Sequence, residues 1–112
     1  MTQTPTIRKV PQLNIEHIAG DSFTLPFTVE SSANVPQDLT GRTYSMVIVV
    51  PGWSNITIDG NTGTPSEGIV TFDKDKTWMA TLTSGNQYDY EVKYTMTGNI
   101  EQTSLIGKII VV

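Results

Sequence analysis

Cysteine is absent from the chain. That removes disulfide staples, thiolate metal sites and thiol nucleophiles together, and speaks against a secreted domain held by crosslinks. Histidine occurs once, at His17, so a Ser-His-Asp unit would have to use it. No nucleophile motif lies near it, and the expectation is a solvent-facing side chain on an edge strand. Charge is also scarce: 16% of residues are Asp, Glu, Lys or Arg, where about a quarter is usual. The seven basic residues are outnumbered by eleven acidic ones, for a net charge of −4, and only Arg8 and Lys9 are adjacent. Phosphate backbones are held by clustered Lys and Arg, so nucleic acid is not an expected partner. No apolar run approaches the roughly 18 residues that span a bilayer, and residues 1–6 are polar where a signal peptide is apolar. The expectation is a soluble product made in a cytoplasm, with no membrane partner. Glycine nowhere cradles a phosphate ahead of a helix. Asp73-Lys74-Asp75 lacks the glycine and the bidentate glutamate that a calcium loop needs downstream. No cofactor, metal or catalytic residue is expected, and the chain does not read as an enzyme.

What the sequence does have is strand periodicity. Through 84–96, a glycine turn feeds a segment in which Tyr88, Tyr90, Val92, Tyr94 and Met96 take every second position and Asp89, Glu91, Lys93 and Thr95 the alternate ones. Successive strand side chains point to opposite faces, so this is a half-buried strand with an aromatic inner face. At 112 residues the chain is one domain that buries roughly two thirds of the surface its unfolded form exposes, enough to fold without metal or crosslink.

Taken in order, residues 1–12 read as an extended arm and 13–112 as the domain. Thr6, Ile7, Arg8, Lys9 and Val10 have the makings of a short edge strand, either as a frayed terminus or as an arm that adds a strand to a neighbouring subunit. Residues 13–18 give a first strand. In 22–29, Phe23, Leu25, Phe27 and Val29 face one way, and Pro26, which cannot donate to a ladder, places the strand at a sheet edge or a bulge. Residues 30–34 read as a polar turn and 35–41 as a connecting loop, closed by an Asx turn at Asp38, from which Leu39 plugs the core. Residues 43–50 are β-branched and aromatic on both faces, which predicts a central strand covered on both sides. Residues 53–58 read as a further strand after Pro51-Gly52, with Ile56 and Ile58 inward. Residues 59–65 are so rich in turn formers that they read as a loop. Residues 68–72 resume as a strand. In 73–84 Trp78 and Leu82 are four apart and an Asp at 73 or 75 is placed to cap, but the threonines predict a turn or one 3₁₀ coil instead of a helix. A Thr97-Gly98-Asn99 hairpin then leads to a last strand over 100–112, in which Gly107 marks a bulge or a close backbone approach. Seven or so short strands with regular turn signals predict an all-β antiparallel sandwich.

Ser84-Gly85-Asn86-Gln87-Tyr88-Asp89-Tyr90 resembles the corner before the F strand of immunoglobulin domains, where a tyrosine hydroxyl bonds back to the preceding loop. Tyr88 would be that tyrosine, and Tyr90 stands where the second immunoglobulin cysteine would, its ring filling the space of a disulfide. A broader resemblance runs from about residue 18 to 112. It is carried by Gly20-Asp21 before Phe23, Leu25 and Phe27; Asp38-Leu39-Thr40-Gly41 before Thr43-Tyr44; Gly68-Ile69-Val70; Leu82-Thr83-Ser84-Gly85 before Tyr88-Asp89-Tyr90-Glu91-Val92; and Gly107-Lys108-Ile109. In this order the segments resemble a domain of bacteriophage virion proteins, the family of baseplate upper proteins and related tail or fibre adaptors.

The resemblance implies an immunoglobulin-like β-sandwich that serves as a building block of a virion. Family members usually continue past this domain, whereas this chain stops within a strand, which favours a small capsid-decoration, head-fibre or tail adaptor module. The expected partners are other virion proteins, engaged through strand edges and the N-terminal arm, with several copies in the particle. The alternative is a receptor- or carbohydrate-binding module in which Trp53 and the 59–67 loop form the recognition surface. Trp53 and Trp78 are each expected as partly buried packing residues, Trp53 having the better claim to exposure because it follows Pro51-Gly52.

Overall fold

Every long strand of the protein follows from alternating apolar side chains, and the turns fall where glycine, proline, Asn or Asp interrupts the alternation. The computed structural model describes residues 12–32, 34–96 and 100–112. The strands are β1 (Ile15–His17), β2 (Phe23–Thr28), β3 (Glu30–Ser32), β4 (Val35–Pro36), β5 (Thr43–Ile48), β6 (Ile56–Asn61), β7 (Ile69–Lys74), β8 (Gln87–Met96) and β9 (Ile100–Val111). Seven form one hydrogen-bonded series in the order β1-β9-β8-β5-β6-β7-β2, and β3 and β4 form a separate hairpin. All pairs are antiparallel except β1 with β9, which run parallel. Among the described residues no helix is long and apolar enough to cross a membrane.

The series folds over on itself because β6 changes partner midway. Its first four residues lie opposite β5, Ile56 across from Ile48 and Asp59 across from Ser45, while Gly60 and Asn61 lie opposite Phe72 and Thr71 of β7. One strand thus belongs to both layers, the corner by which a sheet turns over to face itself. Gly60 is what permits the turn: a Cβ there would sit 2.7 Å from Val70 Cγ2 and 2.8 Å from Tyr44 Cβ. The expected loop over 59–65 is therefore corrected. Strand pairing continues through Asn61, and the glycine counted as a loop former serves a close approach. A single 3₁₀ turn follows at Pro65–Glu67.

Between the layers, Tyr44, Met46 and Ile48 of β5 meet Ile56 and Ile58 of β6, Val70 and Phe72 of β7, Tyr88, Tyr90, Val92 and Tyr94 of β8, and Ile109 and Val111 of β9 in one buried cluster. Phe27 meets the Phe72 ring edge-on at 5.8 Å. Leu39 is buried in the core from its loop as expected, and Asp38 closes the Asx turn by accepting from the Thr40 N–H at 3.0 Å. β2 is an outer strand, and Pro26 pairs in register with Thr71 without a bulge.

Three expectations need correction here. β5 is central, but only one face is covered: Val47 is half-buried and Val49 exposed, because among the described residues no layer packs outside the β9-β8-β5 face. Met96 is exposed, since β8 runs beyond the core at its end. Where a polar turn and a loop were expected, Glu30–Ser32 and Val35–Pro36 pair as the β3–β4 hairpin, with Asn34 in the left-handed region at φ 64°. Of the two readings of Gly107, the close backbone approach is the one found, and the bulge in β9 lies at Ser104, skipped where the register passes from Val92↔Leu105 to Lys93↔Thr103. The Thr97-Gly98-Asn99 turn lies outside the described residues.

The tyrosine corner forms. The Thr83 N–H donates to Tyr88 Oη at 2.9 Å, joined by Asn86 Nδ2 at 3.5 Å, and these donors hold the phenol below its ordinary pKa. Tyr90 fills the position two residues on. Its hydroxyl donates to the Leu13 carbonyl at 2.5 Å, and burial pushes its pKa up to about 12.

His17 faces inward, correcting the solvent-facing expectation. It shares the inner face of β1 with Ile15, and its ring lies 5.7 Å from that of Phe23. Its Nε2 is buried and has no partner among the described residues. Desolvation lowers its pKa from the ordinary 6.5, with Asp21 opposing in part. Below about pH 6.5 the unfolded chain therefore takes up a proton that the folded one resists, so this group's contribution is intact above that pH and is lost as the pH falls. The melting temperature is expected to decline from pH 7 toward about pH 5, and His17→Phe to flatten that decline. Equal acid slopes in the two proteins would show that His17 is not responsible.

Candidate functional site

Of the residues expected to contact partners, Thr6, Ile7, Arg8, Lys9 and Val10 lie outside the described residues. The described chain begins beside them at Gln12, which bridges Ile106 in parallel, and the Leu13 N–H donates to the Ile106 carbonyl at 3.0 Å. The described chain therefore starts along the β1–β9 seam. Among the described residues, β1 pairs only with β9, and β2 at the other end of the series pairs only with β7. β1 has three residues, and β2 carries Pro26 at its middle, which blunts the β2 edge against pairing.

The outer face of β8 and β9 is polar. Lys108 Nζ lies 2.9 Å from Asp89 Oδ1, and Lys93 Nζ lies 3.3 Å from carboxylate oxygens of both Glu91 and Glu101. These pairs are exposed and add little to stability. They keep the face solvated around a hollow of about 580 Å³ lined in part by Val49 and Ile106. Among the described residues no group of three or more His, Asp or Glu side chains is placed to hold a metal ion.

The two tryptophans depart most from expectation. Trp53 is 70% exposed and Trp78 61% exposed, so neither is a packing residue. Trp53 sits in the β5–β6 turn, where its N–H donates to the Val50 carbonyl at 3.0 Å and Gly52 takes φ 81°. Trp78 sits in the β7–β8 connection, where Asp75 Oδ1 accepts from the N–H groups of Thr77 at 2.9 Å and Trp78 at 3.3 Å. Both connections lie at the same end of the sandwich, and both indoles line one groove of about 500 Å³. Asn55, Thr57, Thr77 and Lys74 share it, with Lys74 Nζ 4.8 Å from the centre of the Trp78 ring.

Trp53 and the 59–67 loop do not share a surface, because β6 carries the chain from one end of the sandwich to the other between them. The turn expected over 73–84 is present, but sequence reasoning did not place Trp78 beside Trp53. The segment is built of turns with three-residue spacing, Trp78 N–H to Asp75 O and Leu82 N–H to Met79 O, so Met79 and Leu82 enter the core and Trp78 is turned out. The apolar pair Met79 and Leu82, three apart, was the available signal.

No protein-family model matches the chain, and no curated protein does. Among solved structures it is similar to one from a study of multimeric cell-adhesive interactions of sodium channel (VGSC) beta subunits, at 13% identity and a TM-score of 0.56, over 97% of this chain and 98% of that one. A likeness at that identity carries the architecture. With the strand order and the tyrosine corner, it makes this chain an immunoglobulin-like β-sandwich.

Proposed function

We propose that the protein is a non-enzymatic structural component of a bacteriophage particle, a capsid-decoration, head-fibre or tail adaptor module that docks on other virion proteins and is present there in several copies. The observation that carries the reading is the β1 edge. A three-residue strand, paired on one side among the described residues, stands at the start of the described chain, next in sequence to residues 1–11. That arrangement suits strand addition from a neighbour, with main-chain bonds supplying affinity. The resemblance to virion domains through residues 18–112 supports the location, and synthesis would be in the host cytoplasm. The lone histidine lies behind Phe23, away from any nucleophile motif, which favours a binding role over catalysis. The structurally similar sodium channel subunit comes from work on multimeric adhesive interactions, so the architecture is compatible with protein-to-protein contact.

The test is reconstitution. Purified protein added to particles that lack it is expected to rebind at a fixed copy number. Removal of residues 1–10 is expected to weaken that rebinding while leaving the melting temperature nearly unchanged. A large fall in melting temperature would place the segment in the core, and failure of the full chain to rebind would refute the assignment to the particle.

A further inference from the structure

We propose that the groove between Trp53 and Trp78 binds a saccharide, the indoles taking the apolar face of a pyranose ring and the side chains around them its hydroxyls. This goes beyond the structural role above and does not depend on it. Two of the largest apolar side chains in the protein are held at 70% and 61% exposure on the same groove, at a cost that packing does not repay. Their setting selects the ligand. Asn55, Thr57 and Thr77 each offer both donors and acceptors, as sugar hydroxyls do. An apolar anchor from a protein or a lipid tail would cover these groups without giving them partners, a desolvation cost that a polyhydroxylated ring avoids. Among the described residues Lys74 is the only charged side chain in the lining, and its ammonium is already placed over the Trp78 ring. It can donate to a hydroxyl or a sugar carboxylate, so neutral and acidic glycans fit and cationic ones do not. Thr57 is on β6 and Lys74 on β7, so part of the groove is set on strands of the sandwich.

The chain contains two tryptophans and both line the groove, so indole emission reports on this end of the sandwich, and Trp78, which lines the groove and not the neighbouring hollow beside Trp53, localises the signal. The full-length protein would be titrated with neutral probes, oligosaccharides of β-1,4-linked glucose and of N-acetylglucosamine, with an acidic probe, oligogalacturonate, and with a panel of bacterial surface glycans. A saturable blue shift with at least one is expected. Trp53→Ala and Trp78→Ala are each expected to weaken binding at least about tenfold, as loss of an aromatic anchor does, with unchanged circular dichroism. Trp53→Phe is expected to retain part of the affinity. Lys74→Gln separates the ligand classes by weakening acidic glycans more than neutral ones. Absence of an emission change across the panel overturns the proposal. So does self-association or particle rebinding that disappears in the Trp53→Ala, Trp78→Ala double variant, since the groove would then be a contact between proteins. Sugar binding that persists without particle rebinding would sink the structural role and leave the groove standing.

Discussion

Gly107→Val is expected to cost the fold about 3 kcal/mol or more, at or above the upper end of ordinary overpacking. A Cβ at Gly107 would fall 1.9 Å from the Leu13 carbonyl oxygen and 2.7 Å from its carbon, with the Tyr90 ring at 3.0 Å. A flexible side chain moves aside for a methyl group; main chain pinned by hydrogen bonds does not. Leu13 is held by its N–H to the Ile106 carbonyl and by the Tyr90 hydroxyl on its own carbonyl. The predicted fall in melting temperature is roughly 10–20 °C for a domain of this length. Amide exchange identifies what yields. The N–H of Lys108 donates to Asn14 Oδ1, and that of Val112 donates to the His17 carbonyl. Loss of protection at both would mean that β1 has peeled away, whereas retained protection with β9 altered would mean that β9 bends. A change of less than about 2 °C would show that the approach is looser than the structure has it.

Tyr90→Ala is the second large effect, at about 3–5 kcal/mol, as for truncation of other buried aromatic side chains. Tyr90 is buried between β8 and the crossing at Gly107. Tyr90→Phe separates volume from the hydrogen bond: it keeps the ring, strips the Leu13 carbonyl of its donor and is expected to cost about 1 kcal/mol. If Tyr90→Phe were as damaging as Tyr90→Ala, the hydroxyl would outweigh the ring, and the idea that bulk occupies the disulfide position would fail. The phenol offers a further check. Its folded-state pKa of about 12 lies above the ordinary 10.0, so its share of stability is whole below about pH 10 and drains away as the pH rises toward 12. Tyr90→Phe should remove that alkaline loss. Because the main clash at Gly107 is with Leu13 and not with the ring, Tyr90→Ala should not rescue Gly107→Val.

Wherever alternation was unbroken, the strands were legible from residue order. Tyr88, Tyr90, Val92 and Tyr94 are buried together as period two requires, and Pro26 marked an outer strand. The tyrosine corner was legible because Thr83 and Tyr88 stand at a fixed separation across a glycine turn. Non-local facts were harder. Gly60 looked like a loop residue because its neighbours are turn formers, and nothing local reveals that Tyr44 and Val70 converge on it. His17 looked solvent-facing because histidine is usually wet, although its spacing from Ile15 was a sufficient warning. Trp53 was singled out as exposed in relative terms, but its companion was not, since two turns 25 residues apart in sequence meet only once the layers are closed.

The parallel β1–β9 pair has a mechanical corollary. Gln12 enters at one end of this edge and Val112 leaves at the other, with the bonds from Leu13, Ala19, Lys108 and Val112 spread along the seam between them. Tension applied between the two chain ends would drag these strands lengthwise past each other, so the bonds bear the load jointly instead of opening one after another like a zip.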